Sequence, residues 1–141
     1  GDKKTIDLWK RMNKWAYEGF DETYKKFGIK HDKTYYESKI YTKGKDIINK
    51  GLKNKIFYKK QDGAIAIDLG KELGEKIVLR GDGTSLYITQ DIYLAELKNK
   101  DYKPNSSIYV VANEQDYHFK VLAEILKKLK YSFLISKFFI L

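Results

Sequence analysis

The sequence predicts an α/β fold: a mostly parallel sheet with helices packed on it and a small β-hairpin insertion. Three observations lead there. Amphipathic stretches alternate with short apolar runs, in the order helix, strand, helix, hairpin, strand, helix, strand, helix. The stretch Asp82-Gly83-Thr84-Ser85-Leu86-Tyr87-Ile88-Thr89-Gln90-Asp91 reads as a tight turn running into an amphipathic helix. The run Ile108-Tyr109-Val110-Val111-Ala112 is continuously apolar, as in a strand covered on both faces, and passes into Asn113-Glu114-Gln115-Asp116-Tyr117-His118. Two polar clusters so close in sequence can face one crevice. Open α/β folds bind ligands in a crevice at the carboxyl ends of their strands.

The elements follow in order. Residues 3–27 place Ile6, Leu8, Trp9, Met12, Trp15, Ala16, Phe20, Tyr24 and Phe27 at steps dominated by three and four, an amphipathic helix with a wide apolar face. Asp2 suits its N-cap and Gly28 its end. The aromatic stripe Trp9, Trp15, Phe20, Tyr24 is expected in the core. Residues 29–36 hold a short strand, and residues 42–52 fit a second helix with Gly51 near its end. Residues 55–69 read as a hairpin turning at Gln61-Asp62-Gly63, residue types that tolerate positive φ. Residues 76–80 form a further strand. Residues 84–98 are helical, with Asp82 or Thr84 as the cap. Residues 99–107 form a surface loop holding the only proline, Pro104. Residues 119–129 are a last amphipathic helix. The whole reads as one domain, with residues 39–68 as a small insertion carrying the hairpin.

With 141 residues, 43% hydrophobic and 33% charged, the chain is long enough to bury a core and globular rather than disordered. It has no cysteine, which excludes disulfides and cysteine metal sites and fits a reducing compartment such as the cytoplasm. No apolar run approaches the ~20 residues of a membrane helix. No signal peptide is visible, although the first residue is Gly1 rather than Met. The net charge of +9 can attract phosphate backbones. The lysines are spread along the chain, however, which favours a general lysine preference over a dedicated patch.

Tyr87 and Asp91 are four apart on a helix, on one face and roughly 6 Å apart at the backbone. An ionised carboxylate takes two parallel hydrogen bonds from a guanidinium, and that fork separates arginine from lysine. A neighbouring tyrosine adds a hydroxyl or an aromatic face for the cation. Gln115, just past the strand, offers an amide oxygen. Ordinary helices carry such a tyrosine–acid pair often, so spacing alone does not single out an arginine site. Asp82-Gly83-Thr84 can bind an anion through exposed N–H groups or serve as a plain helix cap, and the cap is favoured. His118 lines the same crevice or is a helix-start surface histidine. Glu37-Ser38 is open in the same way. His31 and His118 have no ligating neighbour at helical spacing, so no metal site is expected.

The segment DGTSLYITQD followed by IYVVANEQDYHFKVLAEILKKL resembles the catalytic domain of arginyl-tRNA synthetase, a class I aminoacyl-tRNA synthetase. The likeness continues upstream through GDKKTIDLWKRMNKWAYEGFDETYKKFGIKHDKTYYES and KQDGAIAIDL, and leaves out only the last ten or so residues. It implies part of a Rossmann-like nucleotide-binding fold and an ATP-dependent arginine–tRNA ligase. Such an enzyme joins arginine to ATP as arginyl-adenylate and passes the arginyl group to tRNA. The partners implied are arginine, ATP with Mg2+, and tRNA. The matching positions make Tyr87, Asp91 and Gln115 the arginine-binding residues, with Asp91 on the guanidinium. Gln90 stands where the family usually has arginine, which puts a local ion pair beside Asp91 in doubt.

The family's two ATP signatures, His-x-Gly-His and a Lys-Met-Ser-Lys-like loop, do not occur. The expectation is therefore a piece from the middle and second half of the catalytic domain, without activity or bound cofactor by itself. The tail Phe133-Leu134-Ile135 and Phe138-Phe139-Ile140-Leu141 departs from the family and is strongly apolar. It reads as a strand whose partners are lost or as a sequence created by premature termination, and the piece is expected to self-associate through it. The reading from another class is a non-catalytic basic α/β module that binds nucleic acid or a partner protein.

Overall fold

The computed structural model describes residues 2–41 and 43–131, and the backbone of 134–140. The chain divides into two compact units, Gly1–Thr34 and Tyr35–Leu141.

The first unit is dominated by helix α1, Lys3–Lys26. Asp2 caps it, its carboxylate accepting from the Thr5 N–H and hydroxyl at 2.9 Å each. At the other end Gly28 turns left-handed at φ +70, and its N–H reaches the Lys25 carbonyl at 3.2 Å while that of Ile29 reaches Tyr24 at 2.9 Å. This is the paired-bond helix stop that glycine permits. The expected core stripe is not core: no residue of α1 is buried, and Trp15 is 57% exposed. One helix and a short irregular segment supply no second layer within the unit to cover it. The strand expected at residues 29–36 is also absent. Tyr36 is extended at φ −95, ψ 130, but the segment pairs with no strand among the described residues. Extended backbone becomes a strand only through a ladder.

The second unit opens with α2, Glu37–Ile40, and α3, Gly44–Lys53. Strands β1 (Tyr58–Lys59), β2 (Ile65–Asp68) and β3 (Glu75–Leu79) follow as an antiparallel sheet in that order. The hairpin turns where expected: Gly63 has φ +85, Asp62 accepts from the Ala64 N–H at 3.0 Å, and Lys60 N–H bonds Ala64 at 2.8 Å. β2 is the central strand, and its Ile65, Ala66 and Ile67 are buried.

Helix α4, Tyr87–Tyr102, starts later than the sequence suggested. Neither Asp82 nor Thr84 caps it. The Thr89 hydroxyl accepts from the Leu86 N–H at 3.2 Å and donates to the Val78 carbonyl of β3. Gly44 of α3 lies against the Thr89 backbone so closely that a Cβ would not fit, which lets α3 approach α4.

Strand β4 (Ser106–Val111), helix α5 (Asp116–Lys128) and strand β5 (Leu134–Ile140) form a β-α-β crossover, with β4 and β5 parallel and Ser106 opposite Leu134. The expected tail strand therefore has a partner. Its side chains, and Ser132, Phe133 and Leu141 altogether, lie outside the described residues.

The fold is α/β, but the sheet is not mostly parallel: the described residues form a three-stranded antiparallel sheet and a separate parallel pair. Connections of a few residues between β1, β2 and β3 can join only antiparallel neighbours, whereas the helix-long connection from β4 to β5 allows a parallel pair. β4 is not covered on both faces either. Ile108 and Val110 are exposed, while Tyr109 and Val111 pack on the core. That core joins Ile48, Ile67, Val78, Ile92, Leu122 and Ile125, each fully buried.

Candidate functional site

Two polar surfaces arise from the stretches singled out in the sequence. The first is the turn after β3. Gly83 has φ +80 and donates to the Arg80 carbonyl at 2.9 Å, and Arg80 N–H bonds Thr84 at 3.1 Å. The Asp82 carboxylate accepts from the Thr84 N–H at 2.7 Å. That bond, with the Thr84 hydroxyl and the Arg80 charge, holds the Asp82 carboxyl below its usual range. Asp82, Gly83 and Thr84 line a cleft of about 280 Å3 with Tyr41, Lys45, Ser85 and Gln90. The Ser85 hydroxyl oxygen is buried there without a hydrogen-bond partner among the described residues.

The second surface lies where α4 meets α5. Asp91, in the second turn of α4, and His118, in the first turn of α5, pair through Oδ2 and Nε2 at 2.6 Å. Their side chains are 28% and 32% exposed, so the pair is half-buried. The carboxylate is thus reachable yet partly withdrawn from water, where an ion pair gains over the fully solvated case. Helix α5 places His118 just beyond the carboxyl end of β4. The neighbouring Phe119 is buried and lies 4.8 Å, ring centroid to ring centroid, from Tyr109. The imidazole meets the Phe119 ring edge-on at 5.3 Å.

Lys98 and Tyr109 belong to the same surroundings. The Lys98 ammonium stands 4.4 Å from the centroid of the Tyr109 ring. Burial lowers the Lys98 pKa, and the Asp91 charge opposes that shift. Burial raises that of Tyr109, a bond from Ser107 opposes it, and the Asp91 charge adds to it. The field of Asp91 therefore reaches both groups. Sequence reasoning missed them, although a signal existed for Lys98: seven residues are about two helical turns, which returns it to the face of Asp91.

Tyr87 is the first residue of α4, one turn before Asp91, and is 74% exposed. Gln115 closes a short 3-10 turn, Asn113–Gln115, directly after β4. Its amide oxygen accepts from the Ala112 N–H at 3.4 Å, a long bond to its own loop. The structure therefore joins Asp91 to His118 and groups Asp82, Gly83 and Thr84 in the cleft with Lys45 and Gln90. Gln90 lines that cleft, because consecutive helical residues point about 100° apart. Among the described residues no three His, Asp or Glu side chains cluster as a metal site would need. No helix among them is long and apolar enough to cross a membrane.

Comparison with known proteins supplies the context. A family described as tRNA synthetases class I (R), catalytic domain, matches residues 1–138. The chain is 55% identical over 130 residues to an arginine–tRNA ligase of Amoebophilus asiaticus, covering 92% of this chain and 22% of that protein. It is 56% identical over 129 residues to an arginine–tRNA ligase of Treponema denticola, covering 91% of this chain and 22% of that protein. Among solved structures, the arginyl-tRNA synthetase of Plasmodium falciparum superposes with a TM-score of 0.80 over 100% of this chain and 25% of its own, at 18% identity, a likeness of fold. The chain thus spans about a fifth of the length of the curated relatives it matches.

Proposed function

Since the chain belongs to the catalytic-domain family of class I tRNA synthetases (R), we propose that it is the amino-acid-recognition part of an arginine–tRNA ligase. The complete protein joins arginine to ATP and passes the arginyl group to tRNA, in the cytoplasm and within a Rossmann-like nucleotide-binding fold. In this reading Asp91 takes the guanidinium in a two-pronged ion pair, Tyr87 offers its hydroxyl or ring one turn earlier, and Gln115 swings its amide from the loop to a further guanidinium N–H. Catalysis in such a site consists of positioning and electrostatics rather than a covalent nucleophile on the protein.

The observation that carries the reading is the Asp91 carboxylate of α4, half-buried and joined to His118 at 2.6 Å. A carboxylate so held is preorganised for a cation of matching shape. ATP enters as a substrate with its magnesium. The described residues offer no cluster that fits a metal, so no step of this reading runs through one. Nucleotide binding belongs to the signature segments absent from this sequence, and titration of this chain with ATP and magnesium is expected to be flat. Self-association through the apolar tail belongs to the same reading, with the exposed Ile108 and Val110 of β4 in its support, and light scattering across a salt series tests it.

The test of the arginine site is Asp91→Asn in a full-length arginine–tRNA ligase carrying this segment. Removing one partner of a buried charge pair costs about 2–5 kcal/mol. The partial exposure of Asp91 puts the effect at the lower end, so the KM for arginine should rise by roughly thirtyfold. The KM for ATP should stay near its starting value. An equal rise for both substrates would count against a guanidinium-specific role.

A further inference from the structure

We propose that His118 is a positioning residue for arginine recognition: it fixes the plane of the Asp91 carboxylate so that one orientation of the guanidinium fork is accepted. The inference rests on the reading of Asp91 as the guanidinium partner and adds a role that the arginine-binding trio Tyr87, Asp91 and Gln115 does not include.

The geometry is specific. An ionised carboxylate only accepts hydrogen bonds, so the proton in the 2.6 Å contact to Asp91 sits on Nε2 of His118. A carboxylate has about four acceptor positions, and the imidazole occupies one of them on Oδ2. Both positions of Oδ1 and one of Oδ2 remain, enough for two parallel N–H bonds. Without the imidazole the Asp91 carboxylate would turn about its last torsion, which is broad and roughly two-fold for aspartate. A compact ammonium would tolerate that rotation, but a planar fork that needs both oxygens at once would not.

The histidine is itself restrained. It sits in the first turn of α5, a helix anchored by buried Phe119, Val121, Leu122, Ile125 and Leu126. Its ring stands edge-on to Phe119, which packs against Tyr109 of β4. Lys98 is a poorer candidate for this task. The Asp91 charge acts on it, but its ammonium faces the Tyr109 ring at 4.4 Å.

The test uses a full-length ligase carrying this segment and measures the arginine dependence of tRNA charging. His118→Leu removes the donor, and His118→Gln returns an N–H donor at the reach of Nε2. Losing a hydrogen bond to a charged group should raise the KM for arginine about tenfold or more in His118→Leu. The KM for ATP and kcat should be unmoved, as expected when binding alone is lost. His118→Gln should recover most of the loss. A packing role would instead make both variants equally poor, and would overturn the proposal. If His118→Leu keeps the wild-type arginine KM while Asp91→Asn raises it, positioning fails and the arginine site stands. If Asp91→Asn also leaves it unchanged, the site reading falls and this inference with it. Should His118→Leu not fold, His118→Asn replaces it, since the shorter amide stops short of Oδ2. Equal behaviour of the Asn and Gln variants would then overturn the proposal.

Discussion

Helix α1 sets Trp9, Met12, Trp15 and Phe20 along one face, and helix α5 sets Phe119, Leu122, Ile125 and Leu126 along another at comparable spacing. All four α1 residues are exposed, while all four α5 residues are buried. Both helices are stopped by local chemistry and both have lysines in the last turn, where they favour the carboxyl end of the helix dipole. The difference lies in what stands beside them. α5 crosses over between two parallel strands and contacts α4, so its apolar stripe meets a layer. Periodicity therefore specifies a helix and its apolar face, whereas coverage of that face depends on residues far away in the chain.

The sharpest way to break this contrast is paired truncation in the chain itself, followed by urea unfolding. Leu122→Ala empties a fully buried site and should cost about 2–5 kcal/mol. Trp15→Ala should stay within about 0.5 kcal/mol, since surface substitutions away from special features rarely do more. Equal costs would mean that the α1 stripe is covered in solution.

A smaller effect is expected at Thr89, a fully buried polar residue of α4. Thr89→Val keeps the shape but strands the Val78 carbonyl and the Leu86 N–H, for about 1–3 kcal/mol. A neutral result would show that the helix start is held by packing rather than by the hydroxyl.

The next test is pH. The Tyr131 hydroxyl, just past α5, donates to Glu96 of α4 at 2.8 Å. Burial first, and then Glu96, push its pKa well above the ordinary value. A folded pKa above the unfolded one means a contribution fully present below about pH 10 and lost as pH rises through the folded value. The urea midpoint should therefore fall between about pH 9 and 11, and fall less in Tyr131→Phe. The decline should not vanish, because burial and Asp101 raise Tyr35 as well. An identical decline in both proteins would remove Tyr131 from the account. The mildest change is Asp2→Ala, which should lower the helix signal of α1 in circular dichroism and leave the urea midpoint of the second unit in place.

Much of this was legible in the residues because the causes are local. The Asp2 cap and the Gly28 stop of α1 act within a turn of their own position. The Asp62-Gly63 turn follows from a backbone that tolerates positive φ. The placement of Gln115 just after β4 also follows from pattern. Other readings went astray for the opposite reason. The start of α4 is set by the Thr89 hydroxyl on Val78, eleven residues earlier and on another element. The apolar residues of β2 and β3 do not encode which neighbour each strand pairs with; loop length does, and it makes them antiparallel. The continuous apolar run of β4 looks buried on both faces, yet Ile108 and Val110 face outward.

The candidate site divides in the same way. Residue type and helical spacing put Tyr87 and Asp91 on one face of α4, and the family resemblance named Gln115 beside them. Chain pattern offered His118 as a crevice or a surface residue but did not pair it with Asp91, 27 residues earlier, nor turn Gln90 toward Lys45 and the Asp82 turn. Hydrogen bonds within a turn depend on the order of neighbouring residues, so they can be read from sequence. A bond between two helices depends on how α4 and α5 pack around Ile92, Leu122 and Ile125, and that arrangement exists only once the core has formed.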